Sequence, residues 1–186
     1  MAILKEAIHF IKIFKIIINM KNNMLQINQA IENDIPIIED ILLDTVRWLD
    51  SIGQSLWREE QVKWSHLSRD YSITDFYIAL LDNIPAACVA ITDYDPLFWS
   101  DVEKGKSLFI HKLAVKRFAA GKSLSDALIN HAKSLCIERK ISFLRLDCSQ
   151  DRPKQRYVYE RNGFVCVDER VVFDTYPTAF YVCEVN

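Results

Sequence analysis

The stretch from Ser107 to Asp126 constrains the fold more than any other part of the chain. Ser107-Leu108-Phe109-Ile110-His111-Lys112-Leu113-Ala114-Val115 reads as a strand, and basic Lys116-Arg117 follows it. Ala120-Gly121-Lys122-Ser123-Leu124-Ser125-Asp126 then turns into a helix whose apolar face continues through Leu128, Ala132 and Leu135. Ser123 is placed to cap that helix, and Asp126 sits in its first turn. A strand feeding a glycine-containing turn and a helix start gathers unpaired backbone N–H groups at the positive end of the helix dipole. Phosphate is the natural ligand of such a place. Two phosphate-binding loops nevertheless fail at named positions. A Walker A loop needs glycine where Lys116 stands, and a dinucleotide fingerprint needs three spaced glycines where only Gly121 is present. Neither nucleotide hydrolysis nor hydride transfer is indicated.

Around this unit, strand-like and helix-like segments alternate from Met24 onward without repeats, which predicts one mixed α/β domain over residues 24–186. Met24 to Ala30 alternates as a strand does. Asp34-Ile35-Pro36 opens a helix through Trp48, and a second helix is expected from Glu59 to Leu67. Phe76 to Leu81 and Ala86 to Thr92 read as a hairpin turning at Asp82-Asn83-Ile84-Pro85. Asp93 to Lys106 is a long polar loop that carries Tyr94, Phe98 and Trp99. Aromatics in a loop either close over a core or line a ligand pocket.

Half of the residues are hydrophobic and 26% are charged, so disorder is excluded and the core needs no staple. Lys and Arg number 23 against 25 Asp and Glu, a balance that supplies no field for nucleic acid. The five cysteines are odd in number and widely spaced, and with the four histidines they form no zinc spacing. A reducing cytoplasm and no metal are expected. Met1 to Asn23 stands apart: Lys5, Glu6, Lys12 and Lys15 leave no uncharged run able to span a bilayer, and no signal-peptide cleavage site follows. One apolar helical face there allows a basic amphipathic helix on a membrane or partner; the plainer reading is an appended leader.

After the phosphate turn and its helix come a strand from Ile141 to Cys148, a helix from Pro153 to Asn162, and Gly163-Phe164 leading into another strand. The block from Leu108 to Val167, with Leu113-Ala114-Val115, the turn, Asp147 ending a strand, and Tyr159-Glu160-Arg161-Asn162-Gly163-Phe164, resembles the acyl-CoA-binding half of GNAT superfamily N-acetyltransferases. Trp48-Leu49 and Asp95-Pro96-Leu97-Phe98-Trp99 look like segments of a bacterial branch, so the likeness runs from Met24 to the C-terminus.

The resemblance implies a mixed, mostly antiparallel central sheet flanked by helices and splayed between its fourth and fifth strands. It implies transfer of acetyl from acetyl-CoA to a primary amine, in a small acceptor, by direct attack in a ternary complex. No nucleic acid and no membrane span are implied, and a homodimer is a family-level expectation. Carried over by position, main-chain groups of Leu113, Ala114 and Val115 receive pantetheine. The turn Ala120, Gly121, Lys122, Ser123, Leu124 and Ser125 holds pyrophosphate, with Arg117 and Arg152 near the phosphates. Ala120, Ser123 and Ser125 depart from the family's Gln or Arg, Gly, and Gly or Ala, which predicts weakened affinity because two Cβ atoms crowd the phosphate path. Those substitutions also motivate a second reading, a non-catalytic CoA-binding or regulatory module. Tyr159 falls at the position that protonates the departing thiolate. The general base stays open between His111 and Asp147. Trp48, Trp57, Tyr94, Phe98, Trp99 and Tyr176 suggest an aromatic-lined acceptor pocket, with Asp95 or Asp101 able to attract a cation.

Overall fold

The computed structural model describes residues 24–185, so the expectations for the leader lie outside the described residues. Strands β1 (Leu25–Gln29), β2 (Phe76–Leu81), β3 (Ile84–Thr92), β4 (Leu108–Val115), β5 (Phe143–Ser149), β6 (Val165–Val172) and β7 (Tyr176–Glu184) form a sheet of order β1-β2-β3-β4-β5-β7-β6. All neighbours are antiparallel except β4 and β5. The helices are α1 (Ile35–Ser51), α2 (Trp64–Leu67), α3 (Leu124–Arg139) and α4 (Pro153–Arg161). Among the described residues no helix is long and apolar enough to cross a membrane.

Alternation along the strands assigns the two sheet faces. Leu108, Ile110, Leu144, Leu146 and Cys148 pack with Leu128, Ile129 and Ala132 of α3 and with Tyr159 of α4. On the opposite face Phe76, Ile78, Cys88, Ala90 and Ala114 meet Ile38, Ile41, Leu42 and Val46 of α1. Each face therefore has its own apolar cluster.

Local chemistry explains where elements start and stop. Pro36 lies in the first turn of α1, where its missing N–H costs no helical bond. Asp82 and Asn83 both have positive φ, 53° and 65°, which gives the two-residue turn that matches strand twist. The expected helix from Glu59 to Leu67 is broken in two. Glu59–Val62 is a 3-10 segment, Lys63 is extended, and α2 starts afresh at Trp64 because Glu39 Oε1 on α1 accepts the Trp64 N–H at 2.5 Å.

The sheet opens where β4 leaves β5. Their parallel pairing is confined to Leu108↔Leu144 and Phe109↔Arg145, while β5 stays paired with β7 along its length. β4 meanwhile continues along β3 as far as Ala87↔Val115, with a bulge in which Lys112 takes φ 52°. An extra residue sharpens local twist and bends the strand. The result is a wedge between β4 and β5 with one wall's main chain unpaired.

Candidate active site

A cavity of about 290 Å³ fills this wedge and reaches both faces of the sheet. From the α3 and α4 side Ile110, Cys148, Gln155 and Tyr159 line it; from the α1 side come His111, Lys112 and Asp147. Trp57, Tyr71, Phe98 and Tyr176 complete the wall. The splay thus brings Tyr159, His111 and Asp147, far apart in sequence, to one place. Leu113 lines the same cavity, and Ala114 and Val115 extend the edge of β4 that β5 has left.

Tyr159 is 5% exposed and sits on α4 against Phe164. Gln155 Nε2 donates to its oxygen at 3.0 Å, so the phenol's own proton stays uncommitted. Burial, with Cys148 nearby, pushes its pKa well above the ordinary tyrosine value. The group is a held acid.

On the acidic side of the cavity, the lining residues Asp147 and His111 lie beside buried Asp95, and the three offer ligand atoms within 4.8 Å of one another. Burial first, and the negative charge of Asp95 second, raise the Asp147 carboxyl to about 7. Burial and the Lys112 cation instead depress His111 to about 4. Thr92 Oγ1 donates to the Tyr94 carbonyl at 3.1 Å, so at 3.2 Å it accepts from His111 Nε2–H and leaves Nδ1 without a proton. Asp95 Oδ1 accepts the N–H groups of Leu97 and Phe98, both at 3.1 Å, which fixes the carboxylate; its Oδ2 is buried without a hydrogen-bond partner. Lys112 Nζ lies 4.8 Å from the centroid of the Trp57 ring.

The expected phosphate turn lies between the end of β4 and α3. A 3-10 segment, Arg117–Ala119, leads through Gly121 at φ 77° and Ser123 at φ 57° into α3. The Ser123 side chain makes no cap bond, against the sequence expectation, because the residue adopts the left-handed conformation instead of the extended one a cap requires. Among the described residues the amides of Gly121, Ser123, Leu124, Ser125 and Asp126 have no backbone acceptor, whereas Ala120 and Lys122 bond back to Arg117 and Ala119. Leu124 is buried in the core and anchors the helix start, while Lys122 is exposed.

The basic residues around this turn are held elsewhere. Lys116 pairs with Asp40, Asp44 Oδ2 accepts the Arg117 N–H at 2.8 Å, and the Arg117 guanidinium lies 4.1 Å from the centroid of the Trp48 ring. Arg152 donates to the Gln54 and Ser55 carbonyls at 3.1 and 2.7 Å, which ties α4 to the segment after α1. Sequence reasoning missed this anchoring. Its visible signal was Asp40 and Asp44, one helical turn apart and opposite in charge to Lys116-Arg117. It also missed the clamp in which Arg161 and Asn162 hold the Asp126 carboxylate at 2.7–2.8 Å, joining the end of α4 to the start of α3.

Of the aromatics singled out by sequence, Trp57, Phe98 and Tyr176 line the cavity. Trp48 stacks on Arg117, Trp99 packs on Phe109 and Phe180, and Tyr94 is exposed. Tyr71, which no motif marked, sits 5.6 Å from the His111 ring. Asp101 is exposed, and Asp95 is the buried acid of that loop.

The model of the acetyltransferase (GNAT) family matches residues 43–164, spanning α1 to the Gly163-Phe164 turn. The chain belongs to this family. The GNAT domain of this chain is 26% identical over 148 residues to the uncharacterized N-acetyltransferase YesJ of Bacillus subtilis (strain 168), covering 73% of this chain and 78% of that protein. A GNAT-family acetyltransferase structure from Listeria monocytogenes 4b F2365 superposes with a TM-score of 0.67 at 23% identity, covering 86% of this chain and 94% of that one. N-acetylglutamate synthase from Neisseria gonorrhoeae, solved with coenzyme A and N-acetyl-glutamate, gives a TM-score of 0.62 at 20% identity over 88% of this chain and 35% of that one. The GNAT fold, with its mostly antiparallel sheet and its β4–β5 parallel pair, agrees with the architecture expected from sequence.

Proposed function

We propose that this GNAT chain is an N-acetyltransferase that moves an acetyl group from acetyl-CoA to a primary amine by direct attack within a ternary complex. The observation that carries the reading is the single cavity at the β4–β5 wedge, with a buried phenol on one side and a carboxylate raised to about 7 on the other. Two further features support acetyl-CoA as the donor: the amides of Gly121, Ser123, Leu124, Ser125 and Asp126, which have no backbone acceptor at the start of α3, and the edge of β4 from Leu113 to Val115 that β5 has left. Acetyl-CoA supplies an acyl group on a thiolate leaving group. The chain's own residues supply the rest.

Turn amides and the helix dipole hold negative charge, and the β4 edge orients an amide-bearing arm by main-chain hydrogen bonds. Asp147 is the better proton acceptor of the two candidates. A base works best with a pKa near the working pH, which about 7 satisfies and about 4 does not. His111 acts as a neutral hydrogen-bond acceptor beside it. Tyr159 is the proton donor for the departing sulfur, and burial keeps it in the protonated form. The test is thiol release from acetyl-CoA across an amine panel, with wild type and Tyr159→Phe compared. Tyrosine-dependent turnover is the expected result. Tight CoA binding with no turnover on any amine points to the non-catalytic module instead, and no binding of acetyl-CoA or CoA overturns both.

A further inference from the structure

A second cavity, of about 430 Å³, opens at the starts of β4 and β5, beside their parallel pairs Leu108↔Leu144 and Phe109↔Arg145. Lys106, Ser107, Lys140, Ser142 and Arg145 supply its polar wall, and no lining residue carries a carboxylate. β4 runs about 26 Å from here to the α3 turn, so the two places are separate. The fold fixes the groups in this wall. Arg145 Nε donates to Ser107 Oγ at 2.8 Å, and the guanidinium lies 4.9 Å from the centroid of the Trp99 ring and 5.4 Å from that of Phe143. Its two terminal nitrogens have no hydrogen-bond partner among the described residues. Ser107 is fully buried, and its hydroxyl accepts the Arg145 bond with its own proton unspent. Lys140 is held at φ 57°, where its N–H and that of Ile141 occupy the Ile137 and Cys136 oxygens at the end of α3. Among the described residues Lys106, Lys140 and Arg145 form no ion pair, and exposed Asp101 acts on Arg145 only from beyond ion-pair distance.

We infer that this cavity is a binding site for the phosphate group of a small anion, with Arg145 as its fork and Ser107, Lys106 and Lys140 around it. Three cations and two hydroxyls face a space with no negative side chain, which are the surroundings of a dianion. A phosphate takes paired N–H bonds from the Arg145 guanidinium, the Ser107 proton and the charges of the two lysines. Val102, Ile141 and Phe143 line the rest, and the volume leaves room for the organic body of a phosphate monoester. Lys106 and Ser107 lead into β4, whereas Lys140, Ser142 and Arg145 belong to the β5 side. The bound ion therefore ties the two strands together at the closed end of the wedge. The site is independent of the transferase reading.

Calorimetry on the full-length protein with phenyl phosphate, inorganic phosphate and benzoate at constant ionic strength tests the site. Both phosphates are expected to bind ~10-fold or more tightly than benzoate, a planar monoanion that the Arg145 fork alone satisfies. Tighter binding of phenyl phosphate than of inorganic phosphate names a monoester as the ligand; the reverse order names the free ion, and each supports the site. Arg145→Lys, which keeps the charge and loses the fork, is expected to weaken phenyl phosphate ~10-fold. Lys140→Asn, which removes the charge and tolerates the left-handed turn, is expected to weaken it about 3- to 10-fold and carries the test if Arg145→Lys does not fold. Saturating CoA is expected to leave the phosphate affinities unchanged. No binding of either phosphate, equal binding of benzoate, or affinities that neither substitution alters overturns the site. So does phosphate binding that CoA abolishes, because the ion then occupies the α3 turn.

Discussion

The two ends of the cavity are built from different materials. Toward α3, the groups offered to a ligand are backbone amides at a left-handed turn, and the side chains there are alanine, serine and an exposed lysine. Toward α1, the groups offered are side chains drawn from a loop, β4 and β5, with Asp95 fixed by the Leu97 and Phe98 amides and His111 by Thr92. A backbone site tolerates changes in residue type as long as the turn closes. A side-chain site does not, so the proposed function makes the first end general to the fold and the second the place where acceptor choice is tested.

The largest test of that contrast is Asp147→Asn. Turnover is expected to fall ~10²–10⁴-fold, the range for loss of a general base, while the calorimetric affinity for acetyl-CoA stays within about threefold. A parallel loss of acetyl-CoA affinity breaks the division between the two ends. Next in size is Tyr159→Phe, which lies at the boundary: kcat is expected to drop about 10- to 100-fold with little change in the amine KM, as steady-state thiol release reads out.

The pH dependence sharpens the acidic end. Activity that needs ionised Asp147 rises with pH and levels off above about 7. Asp95→Asn removes a like charge and is expected to move that midpoint down, whereas loss of the Lys112 charge moves it up. Stability has the opposite slope. The folded protein holds a proton on Asp147 between the ordinary 3.8 and about 7 where the unfolded chain does not, so this contribution is full at low pH and fades as pH rises through 7. Thermal melts should therefore show Asp147→Asn stabilised relative to wild type at pH 8, with the gain shrinking toward pH 5.

The smallest effect is expected at the backbone end. Ser123 holds φ 57° with a Cβ, and Ser123→Gly relieves up to ~1 kcal/mol of left-handed strain. Tm is expected to rise slightly and acetyl-CoA binding to tighten a few-fold. A loss of affinity there would mean that the Ser123 side chain, not its amide, contacts the phosphates.

The backbone end was legible in the sequence because it is contiguous: strand, Gly121, Ser123 and an amphipathic helix follow one another directly. Tyr159 was legible through its neighbours down to Gly163-Phe164. The acidic end was only half visible. His111 and Asp147 were found as alternatives, and nothing in the chain ranked them, because burial and neighbouring charge decide their proton affinities. Asp95 stands beside exposed Asp101 as an equal candidate in the sequence, and no motif marks Tyr71. Arg117 and Arg152 looked available for phosphate because their partners, Trp48, Gln54 and Ser55, come from distant segments.

The sequence by itself determined the strand and helix order, the glycine-containing turn and the hairpin at Asp82-Asn83, since these depend on side-chain period and on φ preferences set within a few residues. Only the tertiary structure decided which groups face one another across the wedge. β4 keeps β3 and loses β5 beyond Phe109, and that divergence sets Asp95, His111 and Asp147 together opposite Tyr159. Proton affinity follows from burial and from charges a few ångströms away, and both are properties of the folded space rather than of the chain.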